Sequence, residues 1–163
     1  MKVFSLVLGL GMMVSINAYA QLPTTQHYGS TEYLTGGFGL EESTAIKDAM
    51  PDYTLAITLA SSDGQRAAYV SGVQVVIRDN NDLTYLNVES QGPFVLAQLP
   101  AGQYQVHATY RNVTQSRNIT VTAEGSTRLV FDWPRETFVK QENKTEDEAT
   151  KQRPEPGYIP GVH

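Results

Sequence analysis

The sequence predicts an all-β protein: a seven-stranded, mainly antiparallel β-sandwich with one short N-terminal helix and a disordered C-terminal tail. Residues 53–133 alternate apolar and polar side chains with a period of two, as strands with one buried face do. Clusters of Gly, Pro, Asp and Asn separate these short runs at a spacing typical of sandwiches and small barrels. No connection between them is long enough for a crossover helix, so neighbouring strands are expected to pair antiparallel.

The predicted strands all lie within residues 53–133. The fifth has the cleanest alternation, because Tyr104, Val106 and Ala108 fall on one face and Gln105 and His107 on the other. Turns such as Pro100-Ala101-Gly102 separate the strands. The seven strands are Tyr53–Ala60, Val73–Arg78, Leu83–Glu89, Phe94–Leu99, Gln103–Tyr110, Gln115–Thr122 and Thr127–Trp133.

Residues 21–52 form a leader rich in Gly, Thr and aromatic residues. One helix is predicted in it, at Leu40–Ala49. Two glutamates suit the first turn of this helix, Lys47 suits its last turn, and Pro51 ends it. We expect the leader to be a linker whose helix caps one end of the sandwich.

Residues 1–20 have the parts of an export signal: a basic start at Lys2, an apolar run, and small residues in Ala18-Tyr19-Ala20. We predict cleavage after Ala20 and a bacterial protein in the periplasm or outside the cell. The alternative is a membrane anchor, but Ser15 and Asn17 interrupt the run before the roughly 20 apolar residues that a span needs. No later segment is apolar enough to cross a bilayer, so no membrane span is expected after cleavage.

Residues 134–163 are charged and rich in proline. Between Lys140 and Gly157 about every second residue is charged, and large apolar residues are missing. Such a segment cannot bury enough apolar surface to fold by itself, so we predict that this tail is disordered. Prolines on both sides of Tyr158 favour an extended conformation there, which would suit a docking peptide.

Composition excludes several classes of function. The net charge of −5 argues against binding nucleic acid through its phosphates. The chain contains no Cys, which excludes disulfides, thiolate zinc sites and cysteine nucleophiles.

Three segments carry a recognisable pattern: Ser71-Gly72-Val73-Gln74-Val75-Val76-Ile77-Arg78-Asp79, Gln91-Gly92-Pro93-Phe94 and Leu99-Pro100-Ala101-Gly102-Gln103-Tyr104-Gln105-Val106. In order and spacing they resemble the carboxypeptidase regulatory-like domain family, which has a transthyretin-like (prealbumin-like, Ig-like) β-sandwich. The resemblance covers residues 53–133. It implies a stand-alone exported accessory module without catalytic residues of its own, because the motif residues serve turns and core packing.

Candidate catalytic and metal-binding residues are few. His27, His107 and His163 are far apart, and none has the His-x-x-x-His or Glu-x-x-His spacing of a metal site. The turn Asp79-Asn80-Asn81-Asp82 offers oxygen ligands for Ca²⁺, but it lacks the Gly and the final Glu of an EF-hand loop, and a solvated hairpin turn is the preferred interpretation. We predict no catalytic residues, no cofactor and no metal, and the binding residues stay open.

Exposed aromatic rings are a common means of stacking on sugars. Trp133 is in phase with Leu129 and Phe131 and is therefore predicted to lie in the core, and Tyr85 is predicted to be placed similarly with Leu83. The pattern gives no role to Tyr28, Tyr33 and Phe38 of the leader or to Tyr158 of the tail.

These observations predict a non-enzymatic binding or accessory module of the bacterial cell envelope. The sandwich would hold a protein or glycan partner at an edge strand or at its end loops, with the tail as a tether. One alternative is a structural spacer or assembly factor without a small-molecule ligand. The other is a small hydrolase whose site the sequence does not reveal.

Overall fold

The computed structural model of the chain describes residues 21–138. The predicted export signal and the tail from residue 139 onward, including His163 and Tyr158, lie outside the described residues. The described part contains the ten-residue helix α1 (Leu40–Ala49), followed by a 3-10 turn at Met50–Asp52, and a single helical turn at 135–138. Its strands are β1 (Gln26–Tyr28), β2 (Thr31–Gly36), β3 (Leu55–Ser62), β4 (Ala67–Tyr69), β5 (Gln74–Asp79), β6 (Thr84–Glu89), β7 (Phe94–Gln98), β8 (Gly102–Tyr110), β9 (Val113–Val121) and β10 (Thr127–Pro134).

The strands form two sheets. The first sheet has the order β1-β2-β7-β3-β10, with β4 paired to the far end of β3, and the second has the order β6-β5-β8-β9. The β3–β10 pair is parallel, whereas the other strand pairs of residues 21–138 are antiparallel. The prediction of a mostly-β chain with mainly antiparallel pairing and one short helix is therefore confirmed.

A single apolar core lies between the two sheets. The first sheet contributes Leu55, Ile57 and Phe131, and the second contributes Val75 and Val106, all with no exposed surface. Neighbouring residues along each strand point to opposite faces, which is why the period-two pattern identified this core from sequence. The predicted inward face of β8 is confirmed, since Tyr104, Val106 and Ala108 are all buried.

The leader is part of the sandwich, which corrects its interpretation as a linker. Strand β2 pairs with β7 from Glu32↔Gln98 to Gly36↔Phe94, and β1 extends the sheet beyond β2. Tyr33 points into the core between the sheets, and its hydroxyl donates to the side-chain oxygen of Gln26 at 2.9 Å. Residues 21–138 thus hold ten strands, where seven were predicted, since β1, β2 and β4 were missed.

Helix α1 has the predicted bounds, Leu40–Ala49, but not the predicted position. It packs on the outer face of the first sheet, where Ile46 contacts a second apolar cluster that includes Leu34, Ala56 and Leu96. These three residues alternate with the residues of the main core on strands β2, β3 and β7. The central strands are therefore apolar on both faces, and α1 covers one face instead of capping an end of the sandwich.

The domain continues past the predicted end of the sandwich at Trp133. Strand β10 includes Pro134, a helical turn follows at 135–138, and Phe138 is buried against Tyr110 and the main core. The packed domain therefore extends at least to Phe138, five residues beyond the predicted end of the sandwich.

The start of β6 also differs from the prediction. Leu83 is 58% exposed and Tyr85 is half-buried, so Leu83 is not the core residue that the alternation suggested. The pairing of β5 with β6 shifts between Ile77 and Arg78, and Leu86 instead occupies the core position opposite Ile77. A bulge adds a residue to one strand, so it reverses the phase of the alternation at that point.

Candidate functional site

A polar groove of about 600 Å³ lies at one end of the second sheet. It is formed where the β5–β6 turn meets the start of β8 and the end of β9. Side chains of three strands reach it because β8 lies between β5 and β9 in the sheet. Its lining residues are Asp79, Asn80, Asp82, Gln103, Tyr104, Gln105, Asn118, Ile119 and Thr120.

Hydrogen-bonded amide side chains form the floor of this groove. Gln105 and Asn118 are opposite each other on β8 and β9, and the Gln105 amide donates to the Asn118 side-chain oxygen at 3.2 Å. The Asn80 amide donates to the side-chain oxygen of Gln103 at 3.0 Å. All four residues are exposed, so each amide retains donors or acceptors for a ligand.

The same arrangement continues along the outer face of the sheet. His107 Nδ1 is 2.8 Å from the Ser116 hydroxyl, and the hydroxyls of Thr109 and Thr114 are also 2.8 Å apart. These pairs lie in successive rows of the β8–β9 register. This part of the face is therefore a regular array of hydrogen-bonding side chains, and the prediction that His107 points outward agrees with this placement.

The β5–β6 turn is held by its own side chains. One oxygen of the Asp79 carboxylate accepts from the backbone N–H groups of Asn81 and Leu83, at 2.8 and 2.9 Å. Asp82 has a left-handed backbone with φ 67° and pairs with Arg78 at 3.1 Å. The conformation of the turn is thus supported by its own hydrogen bonds and does not depend on a ligand to form them.

The acidic turn does not assemble a cation site. One carboxylate oxygen of Asp79 already accepts two backbone hydrogen bonds, and the carboxylate of Asp82 is paired with the guanidinium of Arg78. Across residues 21–138, no group of three or more His, Cys, Asp or Glu is placed to hold a metal ion. His27 is exposed on β1, in the other sheet from His107, so these two histidines are not brought together.

Tyr104 separates the groove from the core. Its ring packs edge-on against Tyr85 with centroids 5.1 Å apart, and its hydroxyl donates to the carbonyl of Pro100 at 2.9 Å. Burial raises the pKa of the Tyr104 phenol above its ordinary value, with smaller contributions from Tyr85 and Asp79. The neutral phenol is therefore the form that the folded protein prefers.

This shift predicts a loss of stability in alkali. A group whose pKa is higher in the folded state stabilises the fold fully below its ordinary pKa, here 10.0, and that stabilisation is lost as the pH rises past it. We expect the free energy of unfolding, measured in urea between about pH 8 and pH 11, to fall less in Tyr104→Phe than in the native chain. Equal losses in both proteins would contradict the assignment to Tyr104.

The burial of the aromatic residues differs in part from the prediction. Trp133 is fully buried as predicted, and Tyr33 is buried too, although the sequence assigned it no role. Tyr28 is half-buried against the core, whereas Phe38 is 60% exposed on the loop before α1. Tyr158 is outside the described residues.

Sequence reasoning singled out Asp79, Asn80 and Asp82 only as a possible Ca²⁺-binding turn, and it did not select the groove residues of β8 and β9. Gln105 was recognised only as an outward residue of a strand, and Gln103, Asn118 and Thr120 only as members of predicted strands. The available signal was that these outward positions carry amides and hydroxyls instead of the charged side chains usual on solvent-facing strands.

No protein-family model matches the chain, and a search of curated proteins found no match to it. Within residues 21–138, no helix is long and apolar enough to pass through a bilayer.

Proposed function

We propose that this protein is a non-enzymatic, exported binding module of the bacterial cell envelope, and that it holds a glycan in the polar groove of its second sheet. One observation carries the proposal: a groove of about 600 Å³ is lined by amide and hydroxyl side chains that neighbouring strands hold in fixed register. Sugar hydroxyls are both donors and acceptors, and amides such as those of Gln105 and Asn118 offer both to them.

The charge of the groove favours a neutral glycan over an acidic one. Asp79 and Asp82 lie at one side of it, its lining contains no Lys, Arg or His among the described residues, and Arg78 is paired with Asp82. A carboxylate or phosphate placed there would meet like charges, which is unfavourable. Export, which residues 1–20 favour, would bring such a module to the polysaccharides of the envelope.

The resemblance of residues 53–133 to carboxypeptidase regulatory-like domains supports the same proposal. A transthyretin-like sandwich is an accessory scaffold whose sheets and loops hold partners while the core supplies rigidity. In this proposal the leader strands belong to the scaffold, and residues 139–163 act as a tether.

The test is glycan binding by the chain that starts at Gln21. We expect a neutral oligosaccharide from a glycan array to bind saturably. In isothermal titration its affinity should fall about fivefold to tenfold in Gln105→Ala and in Asn118→Ala, because each variant removes hydrogen-bonding groups.

The matched controls are Gln74→Ala and Asn87→Ala. These residues form the same kind of amide pair, at 2.6 Å, on the same sheet but away from the groove. Equal loss of affinity in the control and groove variants would contradict the groove as the binding site.

A protein partner is the second candidate, and one observation favours it. Strand β9 spans Val113–Val121 at the edge of the second sheet, where side chains of β10 bond to the carbonyls of Val113 and Thr120. The backbone between these two ends is an edge at which a partner could add a strand. An affinity pull-down from envelope extract that captures one partner, and loses it when Ser116→Pro interrupts the edge, would favour this candidate over the glycan.

A further inference from the structure

A second cleft, of about 480 Å³, lies at the opposite end of the β8–β9 hairpin from the polar groove. Its wall is partly apolar, through Val70, Tyr110 and Phe138, and it carries two cations, Arg111 and Arg135. The lining differs from that of the groove in both charge and polarity, so the two sites suit different ligands.

Arg111 occupies a backbone conformation that its residue type disfavours. Tyr110 pairs with Val113, so Arg111 and Asn112 form a two-residue turn, with φ values of 46° and 64°. Such a turn requires positive φ at both positions, which Asn and Gly accept readily and other residues accept only at a cost. Arg111 thus places a long cationic side chain at a backbone position that is unfavourable for it, and such positions are found at functional sites.

The guanidinium of Arg111 is held in place by aromatic rings. Its central carbon lies 5.4 Å from the centroid of Tyr110 and 5.3 Å from that of Phe138. Stacking on ring faces leaves the N–H donors at the edge of the guanidinium plane available. Within residues 21–138, Arg111 forms neither a hydrogen bond nor an ion pair.

Arg135 supplies the second cation from the end of β10. It pairs with Asp63 at 3.5 Å, but its side chain is 54% exposed. An exposed pair at this distance is weak and occupies only part of the guanidinium, so further donors remain. Asp63 in turn accepts from the backbone N–H groups of Arg66 and Gln65, which lower the pKa of its carboxyl.

We propose that this cleft binds a carboxylate carried on an apolar or aromatic group. The carboxylate would accept from Arg111, with Arg135 as second donor, and the attached group would lie against Val70 and Phe138. This site is separate from the proposed glycan site and goes beyond that function. The two sites share no lining residue, so either proposal can fail without the other.

Benzoate is the probe, and its neutral isostere benzamide is the matched control ligand. The chain that starts at Gln21 contains one Trp, Trp133, whose ring centroid is 5.6 Å from that of Tyr110, so its fluorescence reports on the cleft. We expect a saturable fluorescence change with benzoate and an affinity for benzamide at least about tenfold weaker, because a charge-assisted hydrogen bond is lost. Equal binding of the two ligands would overturn the proposal, as would no binding of either.

The test variant is Arg111→Asn, because Asn is favoured in this turn and should keep the hairpin. We expect an unchanged melting temperature within a few degrees and a benzoate affinity reduced about tenfold or more. Arg128→Asn, an exposed arginine on β10 outside the cleft, is the control and should bind benzoate normally. Equal affinity in the two variants would overturn the proposal.

The natural carboxylate could come from a separate ligand or from the acidic residues after Phe138. The discriminating variant keeps the full tail but replaces those acids by amides. Tighter benzoate binding in it would identify the tail as a competing occupant, and unchanged binding would exclude these acids and leave a separate ligand as the source of the carboxylate. Either outcome can be interpreted only if benzoate binding has first been shown to depend on Arg111. The replaced residues are Glu142, Glu146, Asp147, Glu148 and Glu155.

Discussion

A chain that begins at Tyr53 is expected not to fold cooperatively, although the sequence pattern places the start of the sandwich there. It would lack β2 and α1, so strand β7 would lose a paired neighbour and the outer face of the first sheet would lose its cover. Burying each large apolar side chain stabilises by about 1.5–3 kcal/mol. Losing Leu34, Ile46 and Met50 together with the β2–β7 hydrogen bonds is comparable to the whole stability of a small domain, about 5–15 kcal/mol.

Circular dichroism during thermal unfolding would test this expectation against the chain that starts at Gln21. Two single substitutions in the chain that starts at Gln21 measure the contribution of α1. Ile46→Ala, on the buried face of the helix, should lower the free energy of unfolding by about 2–5 kcal/mol. Leu40→Ala, on the same helix but 83% exposed, should change stability by less than about 0.5 kcal/mol. A sharp, reversible transition in the shortened chain would show that the leader is dispensable.

Replacing Trp133 is expected to be the most destabilising single substitution. Its ring has no exposed surface, stacks on Phe131 at 5.9 Å and contacts Tyr110 at 5.6 Å. Its indole N–H donates to the carbonyl of Val113 at 3.0 Å and thereby connects β10 with β9 of the other sheet. Trp133→Ala leaves a large cavity and an unpaired carbonyl, and we expect a loss of about 3–5 kcal/mol.

Urea unfolding followed by circular dichroism measures this loss without relying on Trp fluorescence. Trp133→Phe keeps an aromatic ring but removes the hydrogen bond, so its loss should be clearly smaller than that of the alanine variant. Val130→Ala, on the same strand but 60% exposed, serves as the surface control. Comparable stability of all three variants would mean that Trp133 does not join the two sheets.

The leader was misread because its strands lack the usual signal. Strand β2 is buried on both faces, so Tyr33 and Leu34 are adjacent apolar residues instead of alternating ones. Strand β1 has only three residues, and the chain turns tightly between β1 and β2 at Gly29, which has φ 58°. A period-two pattern identifies strands with one buried face, and it fails for β2 because the main core covers one of its faces and the α1 cluster covers the other.

The site shows the same division between local and remote information. Local alternation was enough to place Gln105 and His107 on the outside of β8 and Val106 in the core. It could not show that Asn118 lies opposite Gln105, or that the β5–β6 turn borders the same groove. The cleft at Arg111 was missed for a further reason, since Phe138 was assigned to the disordered tail.

The sequence by itself determined the class of the fold, the α1 bounds and the inward faces of β8 and β10, because these depend on periodicity and on helix-end and turn residues close together in the chain. Only the tertiary structure decided that the leader belongs to the first sheet, that β10 pairs in parallel with β3, and that two chemically different clefts lie at opposite ends of one hairpin. These features depend on contacts between residues such as Glu32 and Gln98, and pairing over that separation is set by the packing of the whole domain.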